Sequence, residues 1–264
     1  HQSLDAVTLM KSATKYSEEV VTVDQLTEIM GNAIRAAESG RAGAAFISLP
    51  KDIGLAPFVG DVDQDWGKVV PQGIGALVAI DAAAQLINAS KRPMVIFGMQ
   101  ASKPDVANAV QNFLAKTKIP YTATFQGPGK WAQPEDRETF VGRVGLFRNQ
   151  PSDHLLDQSD CVITVGYDPI EYDPNIWNQN NRRKLIAIDV IRSDQDNDFM
   201  PEIEIIGEIG GSLDLLASKL VPNIDAEFTS AVTDALAQNK LTLAEGAQLN
   251  GTPIHPLRVI HELQ

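Results

Sequence analysis

Apolar and polar positions alternate along this chain in two different periods, and the changes between them mark its elements. Leu26, Ile29, Met30, Ala33, Ile34 and Ala37 recur at three- and four-residue intervals, which places them on one helical face. Thr22 followed by Gln25 predicts a capping box ahead of that helix, and Gly40 predicts a left-handed cap at its end. Residues 44–49 form a short apolar run closed by Pro50, which predicts a buried strand and, with the helix, half of an α/β unit. Residues 54–75 carry Gly54, Pro57, Gly60, Gly67, Pro71, Gly73 and Gly75 without a clear period, so they read as a connector.

From residue 76 to residue 221 the alternation is stronger. Helical periods are predicted over 76–90, 104–117 (with Pro104 in the first turn), 152–158 and 212–220. Between them lie the strand-like runs 94–97, 119–124, 161–165, 185–189 and 203–206. Near-continuous apolar strands separated by helices imply a parallel sheet covered on both faces. Right-handed crossovers then give an α/β fold with a doubly wound, Rossmann-like parallel sheet. Residues 229–239 predict one further helix and residues 255–260 the start of another.

A length of 264 residues corresponds to about 1.8 domains. Apolar residues at 44% and charged residues at 21% exclude a mainly disordered chain. With 22 basic and 34 acidic residues the net charge is −12, which argues against a nucleic-acid or anionic membrane partner. No run approaches the roughly 20 apolar residues of a membrane helix. The single Cys161 excludes an internal disulfide and a multi-cysteine metal site, and fits a reducing, cytoplasmic setting. An opening at His1 without a methionine points to a fragment or processed product.

In an open α/β sheet, ligands bind beyond the carboxyl ends of the strands. The loops expected there are 98–102, 125–129, 166–169 and 189–190. Gly73-Ile74-Gly75 fails as a dinucleotide fingerprint, because Val78 stands at the third glycine position and no strand precedes it. Residues 207–212 sit between a strand and a helix, where amides face either an anion or the Ser212 hydroxyl as N-cap. Asp189 ends a strand, and either accepts from a ribose hydroxyl or caps the next segment. Arg143, Arg148, Arg182 and Arg183 are expected around the third of these loop regions and suit a phosphate, a carboxylate or surface ion pairs. His1, His154, His255 and His261 lack metal-ligand spacing, and Cys161 opens an apolar strand as a small hydrophobe. No complete catalytic constellation is present.

Longer strings carry more than periodicity does. His1-Gln2-Ser3-Leu4-Asp5, Thr14-Lys15-Tyr16 and Ser48-Leu49-Pro50-Lys51-Asp52 occur in order with Gly142-Arg143-Val144-Gly145-Leu146-Phe147-Arg148-Asn149-Gln150. So do Gly166-Tyr167-Asp168-Pro169-Ile170-Glu171-Tyr172, Gly246-Ala247-Gln248-Leu249-Asn250 and His255-Pro256-Leu257-Arg258. Together they resemble the catabolic acetolactate synthases, over essentially the whole chain.

That family has three α/β domains, so the resemblance implies that the chain is the middle of such a protein. Residues 1–57 would end the pyrimidine-binding domain and 58–73 would be a linker. Residues 74–221 would form the central domain, with 222–264 a connector and the start of the diphosphate-binding domain. The implied reaction joins two pyruvates into 2-acetolactate with loss of carbon dioxide, toward acetoin, using thiamine diphosphate and Mg2+ in a homo-oligomer (dimer or tetramer). The family's activating glutamate would lie before His1 and its metal-diphosphate motif after Gln264, so the chain alone is expected to be inactive.

The resemblance also reaches individual residues. His1 and Gln2 match pocket-lining positions. Lys15 and Arg41 match positions near the substrate channel and flavin of biosynthetic relatives. Arg41, from the resemblance, joins Arg143 and Asp189, from the loop reading, as the candidates for a central-domain cofactor pocket. Biosynthetic relatives hold a non-redox FAD through a basic and acidic string at the position of residues 167–172. The replacement here introduces Glu171 and two rings, which implies a flavin-free domain. The alternatives are a module that keeps FAD or an ADP moiety, and a purely structural oligomerisation domain.

Overall fold

The computed structural model describes residues 4–60, 66–127, 138–146 and 149–263. The chain divides into two compact units, His1–Pro71 and Gln72–Gln264.

The first unit is built on two parallel strands, β1 (Tyr16–Glu19) and β2 (Ala45–Ser48). Helix α1 (Ala6–Lys11) precedes β1, α2 (Leu26–Glu38) joins the strands, and α3 (Lys51–Leu55) follows them. The segment therefore holds a complete β-α-β crossover, where the apolar pattern predicts half of one. β1 is hidden in the sequence because Tyr-Ser-Glu-Glu offers no apolar run. β2 is half-buried at every position, not buried as its composition suggests. The Thr22–Gln25 capping box is not formed: Thr22 makes no side-chain cap, and a single 3-10 turn over Val23–Gln25 leads into α2. Gly40 does take the left-handed conformation, with φ 60°.

The second unit holds a six-stranded parallel sheet. Its strands are β3 (Pro93–Phe97), β4 (Tyr121–Thr124), β5 (Phe140–Val144), β6 (Cys161–Val165), β7 (Lys184–Asp189) and β8 (Ile203–Ile206). Their spatial order is β5-β4-β3-β6-β7-β8, all parallel. Counted within the sheet this is 3-2-1-4-5-6, the doubly wound order of dinucleotide-binding folds. Helices α4 (Leu77–Ala89), α5 (Ala107–Thr117), α6 (Pro151–Gln158), α7 (Pro174–Trp177), α8 (Ile209–Lys219), α9 (Ala226–Glu245) and α10 (Pro256–Glu262) complete the unit.

Two-residue periodicity divides the core cleanly. Val95 and Phe97 of β3 join α4, α5 and α8 in one apolar cluster, through Ile80, Phe113 and Leu213. Met94 and Ile96, the alternate positions, join α6, α7 and α9 on the other side, through Leu155, Trp177 and Phe228. Strands with both faces covered are apolar at nearly every position, as β3 is throughout and β6 is apart from Thr164.

Three predicted boundaries shift. Pro104 lies in a turn ahead of α5, which begins at Ala107. α8 begins at Ile209 with Glu208 as its N-cap, so Ser212 is a helical residue rather than the cap. α9 extends well beyond the predicted 229–239, and its Phe228 is fully buried.

Candidate functional site

The strand order reverses between β3 and β6, so the crevice at their carboxyl ends is where this fold offers a ligand site. Gly98 follows β3 and Gly166 follows β6, and here the two backbones nearly touch. A Cβ on Gly98 would lie 2.4 Å from the Tyr167 Cα and 2.5 Å from the Gly166 carbonyl oxygen. Gly166 itself needs φ 57°, a conformation glycine adopts without penalty.

Glu171 reaches back across this crossing. Its carboxylate accepts the Met99 amide (2.9 Å to Oε2), the Asp168 amide (3.0 Å to Oε1) and the Thr124 hydroxyl (2.6 Å to Oε2). Those three donors come from the ends of β3 and β4 and from the β6–α7 connection. The Met99 amide belongs to the first strand-to-helix turn, the position that meets pyrophosphate in dinucleotide-binding folds.

A second amide nest lies at the start of α8. It also holds the chain's own carboxylate: Glu208 accepts from Gly210 N (2.6 Å) and Gly211 N (2.5 Å). The Ser212 hydroxyl accepts the Gly75 amide at 3.0 Å and donates to the Glu208 carbonyl. Residues 207–212 thus form an amide nest with an internal carboxylate in it, rather than a turn capped by Ser212.

The sequence candidates are dispersed. His1, Gln2 and Arg148 lie outside the described residues. Arg41 belongs to the first unit, in the turn after α2, where its carbonyl accepts the Lys15 ammonium at 2.9 Å. Arg143 and Asp189 both belong to the second unit, on β5 and β7, four strand positions apart. At strand spacing that is about 19 Å. The Arg143 guanidinium stands 5.9 Å over the Phe125 ring. With Gln150, Ser152 and Asn239 it lines a small cavity of about 140 Å³.

Asp189 is 2% exposed, and its Oδ1 accepts the Val190 amide at 2.6 Å. Its carboxyl group is turned into the fold. Arg182 and Arg183 both pair with Asp157, at 2.8 and 2.9 Å. The buried Arg183 also donates to the Trp177 carbonyl, and burial pulls its pKa below the ordinary guanidinium value. Among the described residues, the arginines of the sequence cluster therefore do not converge on one anion. Burial pushes the Cys161 thiol up to about 12, which removes it as a nucleophile.

Among the described residues, no group of three or more His, Cys, Asp or Glu side chains is placed to hold a metal ion. No described helix is long and apolar enough to cross a membrane. Sequence reasoning singles out Glu171 but cannot connect it, since two of its partners lie 47 and 72 positions away. The signal available was the pair of glycines ending β3 and β6.

Residues 80–216 match the family profile "Thiamine pyrophosphate enzyme, central domain", which covers more than half of the chain and all six strands of the sheet. The chain belongs to the thiamine pyrophosphate enzymes. Over 100% of its length it is 37% identical to the catabolic acetolactate synthase of Raoultella terrigena, and 38% identical to the acetolactate synthase of Bacillus subtilis. It is 26% identical to the acetolactate synthase isozyme 2 large subunit of Escherichia coli over 83% of the chain. The chain spans about half the length of the first two relatives, 47% and 46% respectively. As a thiamine pyrophosphate enzyme central domain, its sheet is the α/β, doubly wound architecture expected from the apolar strand runs.

Proposed function

We propose that the chain forms the middle of an acetolactate synthase, which joins two pyruvates into 2-acetolactate with release of carbon dioxide. The observation that carries this reading is identity of 37% and 38% to two acetolactate synthases along the whole chain. Thiamine diphosphate, bound together with Mg2+, would supply the electron sink for decarboxylation.

The described residues do not fit that cofactor by themselves. They offer no metal-ligand group, and both amide nests at the sheet's carboxyl edge already hold Glu171 and Glu208. In this reading the chain supplies architecture: residues 74–221 act as the central domain, between the end of a pyrimidine-binding domain in 1–57 and a connector in 222–264. His1 and Gln2 line the reaction pocket. The complete enzyme is a cytoplasmic homo-oligomer, with neither nucleic acid nor membrane as partner.

The same occupancy favours a flavin-free domain over an FAD- or ADP-binding module. Glu171 places negative charge on the turn that a dinucleotide phosphate would need.

Two measurements test the reading. The chain is assayed alone and as a replacement for the matching segment of the Bacillus subtilis relative. The chimera with thiamine diphosphate and Mg2+ is expected to form acetolactate from pyruvate, while the 264 residues alone form none and show negligible thiamine diphosphate binding by calorimetry. A folded, cofactor-loaded chimera without product, or turnover by the chain alone, would overturn it. Stoichiometric FAD in the acid-released supernatant of the purified chain would overturn the flavin-free reading separately.

A further inference from the structure

We propose that Glu171 is a built-in oxyanion: its carboxylate occupies the phosphate position of the switch-point crevice and fastens three strand ends together. Met99 N, Asp168 N and the Thr124 hydroxyl converge on one carboxylate from three separate segments, at 2.9, 3.0 and 2.6 Å. β4, β3 and β6 are neighbours in the sheet, so the three donor segments sit side by side at its carboxyl edge. Backbone amides converging at that edge are the feature by which this fold takes a ligand oxyanion.

The geometry is specific to an internal group. The ideal Cβ position on Gly98 is only 2.9 Å from Glu171 Oε1, so any side chain there would displace the carboxylate. The Glu171 amide donates to the Asp168 carbonyl at 2.8 Å, closing a turn that aims the side chain back at β3. Thr124 is fully buried, and its hydroxyl donates its proton to Oε2. A ligand phosphate would have to displace a tethered carboxylate that loses no translational freedom on binding, which gives the internal group the advantage over a free anion at millimolar concentration.

It follows that removing the side chain should expose a site for a free oxyanion. Inorganic phosphate and acetate are the probes, set against chloride at matched ionic strength. Glu171→Ala is expected to melt below the wild type in chloride. Phosphate at about 50 mM should then raise its melting temperature by about 5 °C, if the vacated site binds with Kd about 1 mM. The wild type should show no phosphate-specific shift.

Glu171→Gln keeps the shape of the side chain but offers one oxygen to three donors. It is expected to lose roughly tenfold or more of the hydrogen-exchange protection at the Met99 and Asp168 amides, which decides the matter should the alanine variant fail to fold. The proposal is overturned if the alanine variant melts with the wild type. It is equally overturned if phosphate shifts both proteins alike, or if the glutamine variant keeps full protection at both amides. This goes beyond the flavin-free reading and fails independently of it: bound flavin in the wild type tests the one, and anion rescue of the variant tests the other.

Discussion

Replacing Phe228 with alanine should cost the second unit a large share of its stability. Phe228, Val232 and Ala235 fall at four- and three-residue spacing on α9, and all three are buried. They meet Val141 and Val144 of β5, and Leu155 and Leu156 of α6, in one cluster. The helix is also fastened at both ends of this contact. Asp225 accepts the Phe228 amide at 2.6 Å and pairs with Arg92 at 2.7 Å, while Asn239 donates to the Val141 carbonyl at 3.0 Å. The surrounding strands are held by the sheet and cannot collapse into the vacated volume, so the expected loss is about 3–5 kcal/mol. Native domains are stable by about 5–15 kcal/mol. A unit of this size would therefore melt roughly 6–20 °C lower. Thermal and urea denaturation followed by circular dichroism measure it, with Leu241→Ala as control, since Leu241 is 60% exposed and should change stability by less than about 0.5 kcal/mol. A loss below about 1 kcal/mol for Phe228→Ala would refute the reasoning. It would mean that the residues beyond 221 act only as a connector and add nothing to the core of this unit.

Three further outcomes are expected. Asp189→Ala should destabilise by about 1–3 kcal/mol by leaving the Val190 amide without its acceptor, and a thermal shift by ADP or FAD seen in wild type but lost in the variant would contradict this. Cys161 should resist a thiol reagent at about pH 8 in the native chain and react fully in urea, because its thiol is buried and pushed up to about 12; rapid native labelling would count against it. The hydrogen bond from Arg92, aided by the Phe228 amide, holds the Asp225 carboxyl below its ordinary value of 3.8. A depressed carboxyl stabilises the fold fully above that ordinary value and loses the contribution as pH falls through the folded one. The stability gap between wild type and Asp225→Asn should thus be open near neutral pH and close in the acid range, and a gap that persists undiminished would exclude the mechanism.

The elements legible in the sequence are those buried on two faces. The runs at 94–97, 161–165 and 185–189 are apolar at nearly every position because the sheet has helices on both sides, and each is a strand. β5 escapes because it is an edge strand with Gly142 at φ 116° and Arg143 exposed, and its register against β4 shifts between Tyr121 and Ala123. β1 escapes for want of apolar residues. The start of α8 is misplaced by three residues because serine is the commoner N-cap, whereas here Glu208, with its longer side chain, folds back onto two amides. The candidate site is legible only as a set of loops. Nothing in the local pattern around Glu171 tells that Thr124 and Met99 will stand beside it, because that depends on the order in which the strands assemble.

The strand order itself explains why the loops look ready for a nucleotide although their amides are already taken. A 3-2-1-4-5-6 sheet brings backbone amides together at its carboxyl edge whatever the sequence. Left unpaired and buried, each such amide costs about 1–3 kcal/mol, so something must accept from them. A ligand phosphate is one solution and leaves stability dependent on ligand concentration. A glutamate in the loop after β6, and another directly after β8, are a second solution, independent of concentration. This chain takes the second at both nests. The donors to Glu171 and Glu208 are neutral amides and a hydroxyl, and the whole chain carries a net charge of −12. Exchanging either carboxylate for a phosphate therefore gains nothing from the surrounding charge. The fold thus fixes where a ligand would bind, and the two glutamates turn that position over to the stability of the sheet.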